Sequence, residues 1–262
     1  MRICYWGGAI AIGLLTGWVG STQAAMAAVL VLNETFDDTS NFTTSTSLFS
    51  DGSADYLGLT GGSVEDFGGD SSPSRVKSYS GFDGGFLTGQ DLDGEDADLP
   101  ITFAWHGLNI SGLTNLTFTG LFAESFEDPG DIDAADFIRL SYQIDNGGFQ
   151  EFLWFSGADF SSNSGPSNGI FQQDTDFDGV GDGLALSDAA QTFSAAIAGT
   201  GSLLDLRFTV SLNAGDEDFA VDNFRVMGDR LPDPEPASVP EPGMLLGLAA
   251  IAATAIGRYR RR

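Results

Sequence analysis

The stretch SLLDLRFTVSL (residues 202–212) sets Leu204, Leu206, Phe208, Val210 and Leu212 in alternation with Asp205, Arg207, Thr209 and Ser211. A side-chain period of two belongs to a β-strand with one face in a core and the other in water. The same device recurs in DFIRLSYQID (136–145), where Ile138, Leu140, Tyr142 and Ile144 oppose Phe137, Arg139, Ser141 and Gln143. In ITFAWHGLNI (101–110) the apolar row is Ile101, Phe103 and Trp105. NLTFTGLF (115–122) and FQEFLWF (149–155) carry apolar residues at both parities, which suits strands covered on two faces. Helical periodicity is weak throughout. Its best example, LSDAAQTFSAAIA (186–198), runs into the 202–212 strand, and a strand is the better reading for its second half.

Working outward, about ten short runs of strand character lie between Ala28 and Arg230, separated by turns such as Asn146-Gly147-Gly148 and Asn213-Ala214-Gly215-Asp216. Thirty-five glycines and 21 phenylalanines fit Gly-rich turns between aromatic-rich strands. No repeat of fixed period and no internal linker divides this region. The expectation is one all-β domain over residues 28–230, a two-sheet antiparallel β-sandwich of the jelly-roll type. The segment 198–226 resembles the last two strands of galactose-binding and concanavalin-like jelly rolls.

The charge balance narrows the function classes. The chain has 262 residues and a formal net charge of -26, from 11 basic and 37 acidic side chains. Arg2 and the four arginines of the tail lie outside the acidic region, which retains Arg75, Lys77, Arg139, Arg207, Arg225 and Arg230. Such a surface repels nucleic-acid phosphates and anionic lipid, so nucleic acid is not an expected partner. Cys4 is the one cysteine, which excludes a disulfide, a thiolate metal site and a cysteine nucleophile in the body.

The two ends read as addresses. Residues 1–27 pass from Arg2 through an apolar segment, Ala9 to Val19, into small residues ending Ala25-Met26-Ala27, the pattern of a secretory signal peptide. Residues 231–242, LPDPEPASVPEP, form a Pro-rich, extended linker. Residues 243–262 then give a short apolar helix without charge up to Gly257 and a basic tail of Arg258, Arg260, Arg261 and Arg262. The arginines resist translocation, which leaves the apolar run as a temporary anchor with the body outside. Val239-Pro240-Glu241-Pro242, an apolar helix and an arginine cluster, in that order at the C-terminus, resemble the PEP-CTERM sorting signal. That resemblance implies an exosortase-type membrane protease as partner, transient inner-membrane anchoring, and delivery of the body to the cell surface or the extracellular space.

DTDFDGVGDG (174–183) carries the strongest chemical signal in the body. Asp174, Asp176 and Asp178 at alternate positions, Gly179, the Val180 carbonyl and Asp182 follow the spacing by which a loop folds hard oxygen donors around Ca2+. The loop resembles those of EF-hand, dockerin and thrombospondin-type proteins over its first nine positions. It departs at the twelfth, where Ala185 replaces the bidentate glutamate and Asp188 is the nearest acid. In FAVDNFRV (219–226) the apolar parity switches from Phe219 and Val221 to Phe224 and Val226, which marks a bulge at Asp222-Asn223. The jelly-roll resemblance implies a second calcium site there, with Asp222 joined by Glu34 or Asp37.

Catalytic signals are sparse. His106 falls on the solvated side of its strand, there is no GxSxG elbow, and a zinc site would lack histidines. A glycosidase needs only two carboxylates about 5 to 10 Å apart, for which Glu124, Glu127 and Glu151 are candidates. Trp105, Trp154, Phe149, Phe152 and Tyr142 include candidates for a sugar-stacking platform, with core packing the competing role. The leading expectation is an exported, non-enzymatic surface or extracellular-matrix sandwich stabilised by calcium. The alternatives are a carbohydrate-binding module for extracellular polysaccharide and a secreted hydrolase.

Overall fold

The computed structural model describes residues 27–50, 55–60, 78–93, 97–125, 132–157, 169–215 and 217–230. Residues 1–26 of the leader, the linker, the sorting motif, the C-terminal apolar helix, the basic tail and Glu127 lie outside these residues. Among the described residues no helix is long and apolar enough to cross a membrane. Ala27, the last residue assigned to the leader, is already in the first strand and pairs with Arg230.

Among the described residues thirteen strands, β1 (Ala27–Glu34) through β13 (Asp218–Arg230), form two antiparallel sheets. One has seven strands in the order β11 (Gln191–Ile197), β7 (Leu113–Ala123), β13, β5 (Phe86–Gln90), β4 (Tyr56–Thr60) and β3 (Phe49–Ser50), with β1 also on β13. The other has six, in the order β10 (Phe171–Gln173), β9 (Gln150–Gly157), β8 (Phe137–Ile144), β12 (Leu203–Ser211), β6 (Ile101–Asn109) and β2 (Thr43–Thr44). The expected jelly-roll β-sandwich is therefore present. LSDAAQTFSAAIA contains β11 in its second half and no helix.

The alternation that sets the fold class also sets the layers. Leu204, Leu206, Phe208 and Val210 of β12 are fully buried, while Asp205, Arg207 and Thr209 face outward. β12 is central in its sheet, with Phe208 opposite both Phe103 and Leu140. β7 corrects the two-parity expectation: Leu116, Phe118 and Phe122 point inward, and Leu121 is only half-buried outside. In β9, by contrast, Leu153, Trp154 and Phe155 are all buried, so that strand is covered on both faces.

β13 organises the seven-stranded sheet. One edge pairs with β7; on the other, Asp218–Val221 meets β5 and Phe224–Arg230 meets β1. The register slips between Asp222 and Arg225, with Asn223 at φ 52°, so the expected bulge is real. The slip lets Phe219 and Val221 before it, and Phe224 and Val226 after it, all reach the core. Phe224 lies 5.2 Å from the rings of Phe36 and Phe118, 5.4 Å from Phe122, 5.6 Å from Phe208 and 5.8 Å from Trp105. A smaller cluster of Tyr79 and Phe82 over Phe86, Tyr56, Ala123 and Ala220 covers part of the sheet's far side.

Two acids are buried where the chain enters β8 and β13. Asp136 and Glu217 are each 2% exposed. Asp136 accepts the Asp133 amide through one oxygen, while its Oδ1 meets no donor. Glu217 Oε2 accepts the amides of Asn213 at 2.6 Å and Ala214 at 2.9 Å. Burial, with the facing Glu217 carboxyl, pushes Asp136 up to about 8, and burial also raises Glu217.

Candidate functional site

The outer face of the six-stranded sheet carries the most elaborate surface among the described residues. Strand alternation brings Phe137, Arg139 and Ser141 of β8, Arg207 and Thr209 of β12, and Glu151 of β9 to one side. With Pro100 and Phe149 they line a groove of about 390 Å³. The Arg139 guanidinium lies 3.9 Å from the Phe137 ring centre and 3.8 Å from that of Trp154. Arg207 lies 3.7 Å above Phe149. These are cation–π distances, and the planar guanidinium is the cation best shaped for them. Arg139 reaches Glu151 at 3.7 Å, whereas Arg207 has no ion pair among the described residues. The Nε atoms of both arginines, and Trp154 Nε1, are buried without a hydrogen-bond partner.

His106 and Asp205 sit on the same face of that sheet, with His106 Nδ1 3.8 Å from Asp205 Oδ1. Asp205 also accepts the Gly107 amide at 2.7 Å and Gln143 Nε2 at 2.8 Å. His106 is 57% exposed, as its strand position predicts.

The acidic loop borders this face. The Asp174 amide donates to the Trp154 carbonyl at 2.8 Å, and the exposed Phe177 ring, at φ 63°, lies 6.4 Å from Trp154. Oxygens of Asp174, Asp176 and Asp178 lie within 4.8 Å of one another, the one such group among the described residues. Asp174 is buried and accepts the amides of Phe177 at 2.7 Å and Gly179 at 2.8 Å, while Asp178 accepts that of Val180 at 2.9 Å. Gly179 adopts φ 95°, a conformation that glycine reaches without strain. Desolvation and then Asp178 raise Asp176, as expected for carboxylates crowded together. Asp182 turns elsewhere: its carboxylate takes the Thr175 amide at 2.9 Å and hydroxyl at 2.8 Å, which holds its pKa down. Asp188 is exposed, and its carbonyl accepts the Ser80 amide.

Glu34, Asp37 and Asp222 are brought near one another at the β13 bulge. Glu34 is buried; Oε1 accepts the Phe36 amide at 2.8 Å and Oε2 accepts Trp105 Nε1 at 3.1 Å. Asp37 is held by Thr35 Oγ1 at 2.8 Å and the Gly85 amide at 3.3 Å. Asp222 is pushed up to about 6 by burial, against the help of the Asn223 amide, with Asp37 and Glu34 adding to the rise. Their oxygens do not converge as tightly as those of the loop.

The remaining candidates divide between core and surface. Trp105, Phe152 and Tyr142 pack inside, Phe152 at 5.5 Å from Phe118 and Tyr142 at 5.7 Å from Phe152. Phe149 lines the groove with its ring under Arg207, and Trp154 is buried with its ring against Arg139. Glu124 is buried and accepts the Phe171 amide at 2.6 Å, while Glu151 stands on the groove rim. Sequence reasoning put Arg139 and Arg207 on the water face without giving them a role. The signal was there: two of the acidic region's few cations occupy outward positions on neighbouring strands.

No protein-family model matches the sequence, and no curated protein is similar to it at a significant level. Solved structures do resemble it. The CBM22-1 xylan-binding domain from Paenibacillus barcinonensis is 13% identical, with a TM-score of 0.38, over 80% of this chain and 100% of that one. The K3 cleaved adhesin domain of Lys-gingipain from Porphyromonas gingivalis is 11% identical, with a TM-score of 0.38, over 77% and 99%. A family 11 carbohydrate-binding module from Clostridium thermocellum, solved with a mixed-linked tetrasaccharide, is 8% identical, with a TM-score of 0.36, over 80% and 100%. The likeness is one of fold.

Proposed function

We propose that this chain is an exported, non-catalytic β-sandwich that binds extracellular polysaccharide on the outer face of its six-stranded sheet. The observation that carries this reading is the groove: two arginines stacked on aromatic rings, polar walls and rigid strand positions on both sides, a saccharide-sized cleft of mixed polar and aromatic build. One of the sandwiches it resembles is a xylan-binding domain and another was solved with a mixed-linked tetrasaccharide, but the reading rests on this face. Substituting Ser141→Trp at an outward position fills the groove without touching the core. Affinity electrophoresis through gels loaded with extracellular polysaccharides should show wild-type retardation and its loss in the variant, at unchanged Tm. Equal retardation of the two proteins would remove the groove from the account.

Two parts of the reading come from sequence. The PEP-CTERM resemblance supports export, transient anchoring and release by an exosortase-type protease. The donor chemistry supports calcium, because Asp174, Asp176 and Asp178 supply hard oxygens close enough to share one ion. Glu34, Asp37 and Asp222 offer a second, more loosely gathered set. Calcium should raise Tm by several degrees, since an ion that binds only the folded chain stabilises it by mass action. An Asp176→Ala, Asp178→Ala double variant should lose the loop's share of that rise, and any residual rise reports the second set. An unchanged Tm in the parent sinks both sites.

A further inference from the structure

The groove differs from a neutral-sugar platform in one respect that bears on its ligand. A platform presents a bare aromatic face, because a pyranose stacks through its apolar C–H surface. Here Phe137, Trp154 and Phe149 have their faces covered by guanidinium groups at 3.9, 3.8 and 3.7 Å. A molecule entering the groove therefore meets two cations backed by rings. The cations are neighbours: Arg207 pairs with Ser141 and Thr209 with Arg139, so the arginines lie diagonally across adjacent strands, about 7–8 Å apart at the backbone.

Arg207 has no ion pair among the described residues, and Arg139 has Glu151 at 3.7 Å, a contact shared with solvent, with Asp174 of the acidic loop near enough to act on its charge. Their buried Nε–H groups lack acceptors. Stacking fixes the plane of each guanidinium, and a planar fork held this way suits a carboxylate, which accepts two parallel hydrogen bonds from its N–H groups. The rest of the molecule sets the complementary limit. With a net charge of -26, the surface disfavours a dense polyanion at long range, so the fitting ligand carries separated charges on a polar chain. Accepting the groove as a glycan site, we infer that its ligand is an acidic polysaccharide, one whose uronate carboxylates are held by Arg139 and Arg207.

A matched pair of polymers tests this. Polygalacturonate with most of its carboxyls methyl-esterified, so that the free ones stand apart along the chain, and its fully methyl-esterified form share a backbone and differ in charge, and a panel of neutral xylan and glucans completes the comparison. The acid form should retard the wild type in affinity electrophoresis, and the ester and the neutral polymers should not. Arg139→Gln and Arg207→Gln should each weaken binding by about tenfold, as expected for loss of a charge-assisted contact. Lysine variants, which keep the charge but lose the planar fork, should fall between and serve if a glutamine variant fails to fold. Retention should also weaken as salt rises. Equal binding of acid and ester, preference for neutral polymers, or full binding by the arginine variants would overturn the charge assignment while leaving the glycan reading in place. Absence of binding to every acidic and neutral polymer would overturn both.

Discussion

Phe224→Ala is expected to cost about 3–5 kcal/mol, a large share of the 5–15 kcal/mol typical of a folded domain. Phe224 is completely buried, and its ring meets Phe36, Phe118, Phe122, Phe208 and Trp105 within 5.8 Å. Phe118 and Phe122 come from the same sheet, Phe208 and Trp105 from the facing one, and Phe36 from the segment after β1. Truncation thus opens a void between the layers, where neighbours from separate strands cannot all collapse at once. In thermal unfolding the variant should melt on the order of 10 °C below the parent. Phe82→Ala, in the satellite cluster on the far side of the sheet, should cost much less. If Phe224→Ala costs less than about 1 kcal/mol, the sheets are not keyed through this ring.

The second large effect is a dependence on pH. An unfolded aspartate titrates near 3.9, whereas burial beside Glu217 pushes Asp136 to about 8. Between those values the folded chain holds a proton that the unfolded chain has released. The stability contributed by this site is therefore complete below about pH 4 and lost as pH rises through about 8. Glu217, also raised, acts in the same direction. Asp136→Asn keeps an oxygen for the Asp133 amide and offers Glu217 an N–H, with no proton to lose. Its Tm should match the parent's at pH 4 and exceed it by on the order of 5 °C at pH 8.5. Repulsion among the other carboxylates tilts both curves alike, so the difference between them reports the pair. Parallel curves would mean that Asp136 ionises normally in the folded chain.

The fold was legible wherever one face of a strand is wet. In β12 and β8 the alternation of Leu204, Leu206 and Phe208, and of Ile138, Leu140 and Tyr142, placed every side chain correctly, because water and core impose opposite preferences at each step. The parity switch at Asp222-Asn223 gave the bulge for the same reason. β7 was misread because Leu121 looks like a core residue in a list, yet only pairing with β11 and β13 decides that it points out. The groove was harder to see. Arg139 and Arg207 are 68 positions apart in sequence, and the antiparallel register of β8 and β12 brings them together. The rings beneath them come from β8, β9 and the turn between them, so neither pattern nor spacing announces the stacks. The acidic loop, in contrast, is local: Asp174, Asp176 and Asp178 converge because their separation along the chain already brings them together.

The position of β13 has a consequence for when the molecule takes shape. Its partners β7, β5 and β1 were all made earlier, and two of them, β5 and β1, have no hydrogen-bonded path to β7 except through it. A chain emerging from its N-terminus can close the β8–β9 hairpin and dock β12 against β8 and β6 while the opposite layer still lacks its central member. That layer assembles only when the final thirteen residues of the domain arrive and Ala27 finds Arg230, across the whole length of the body. Such distant pairing is entropically slow. Completion of this sandwich is therefore a late event, one that waits until synthesis of the body has finished.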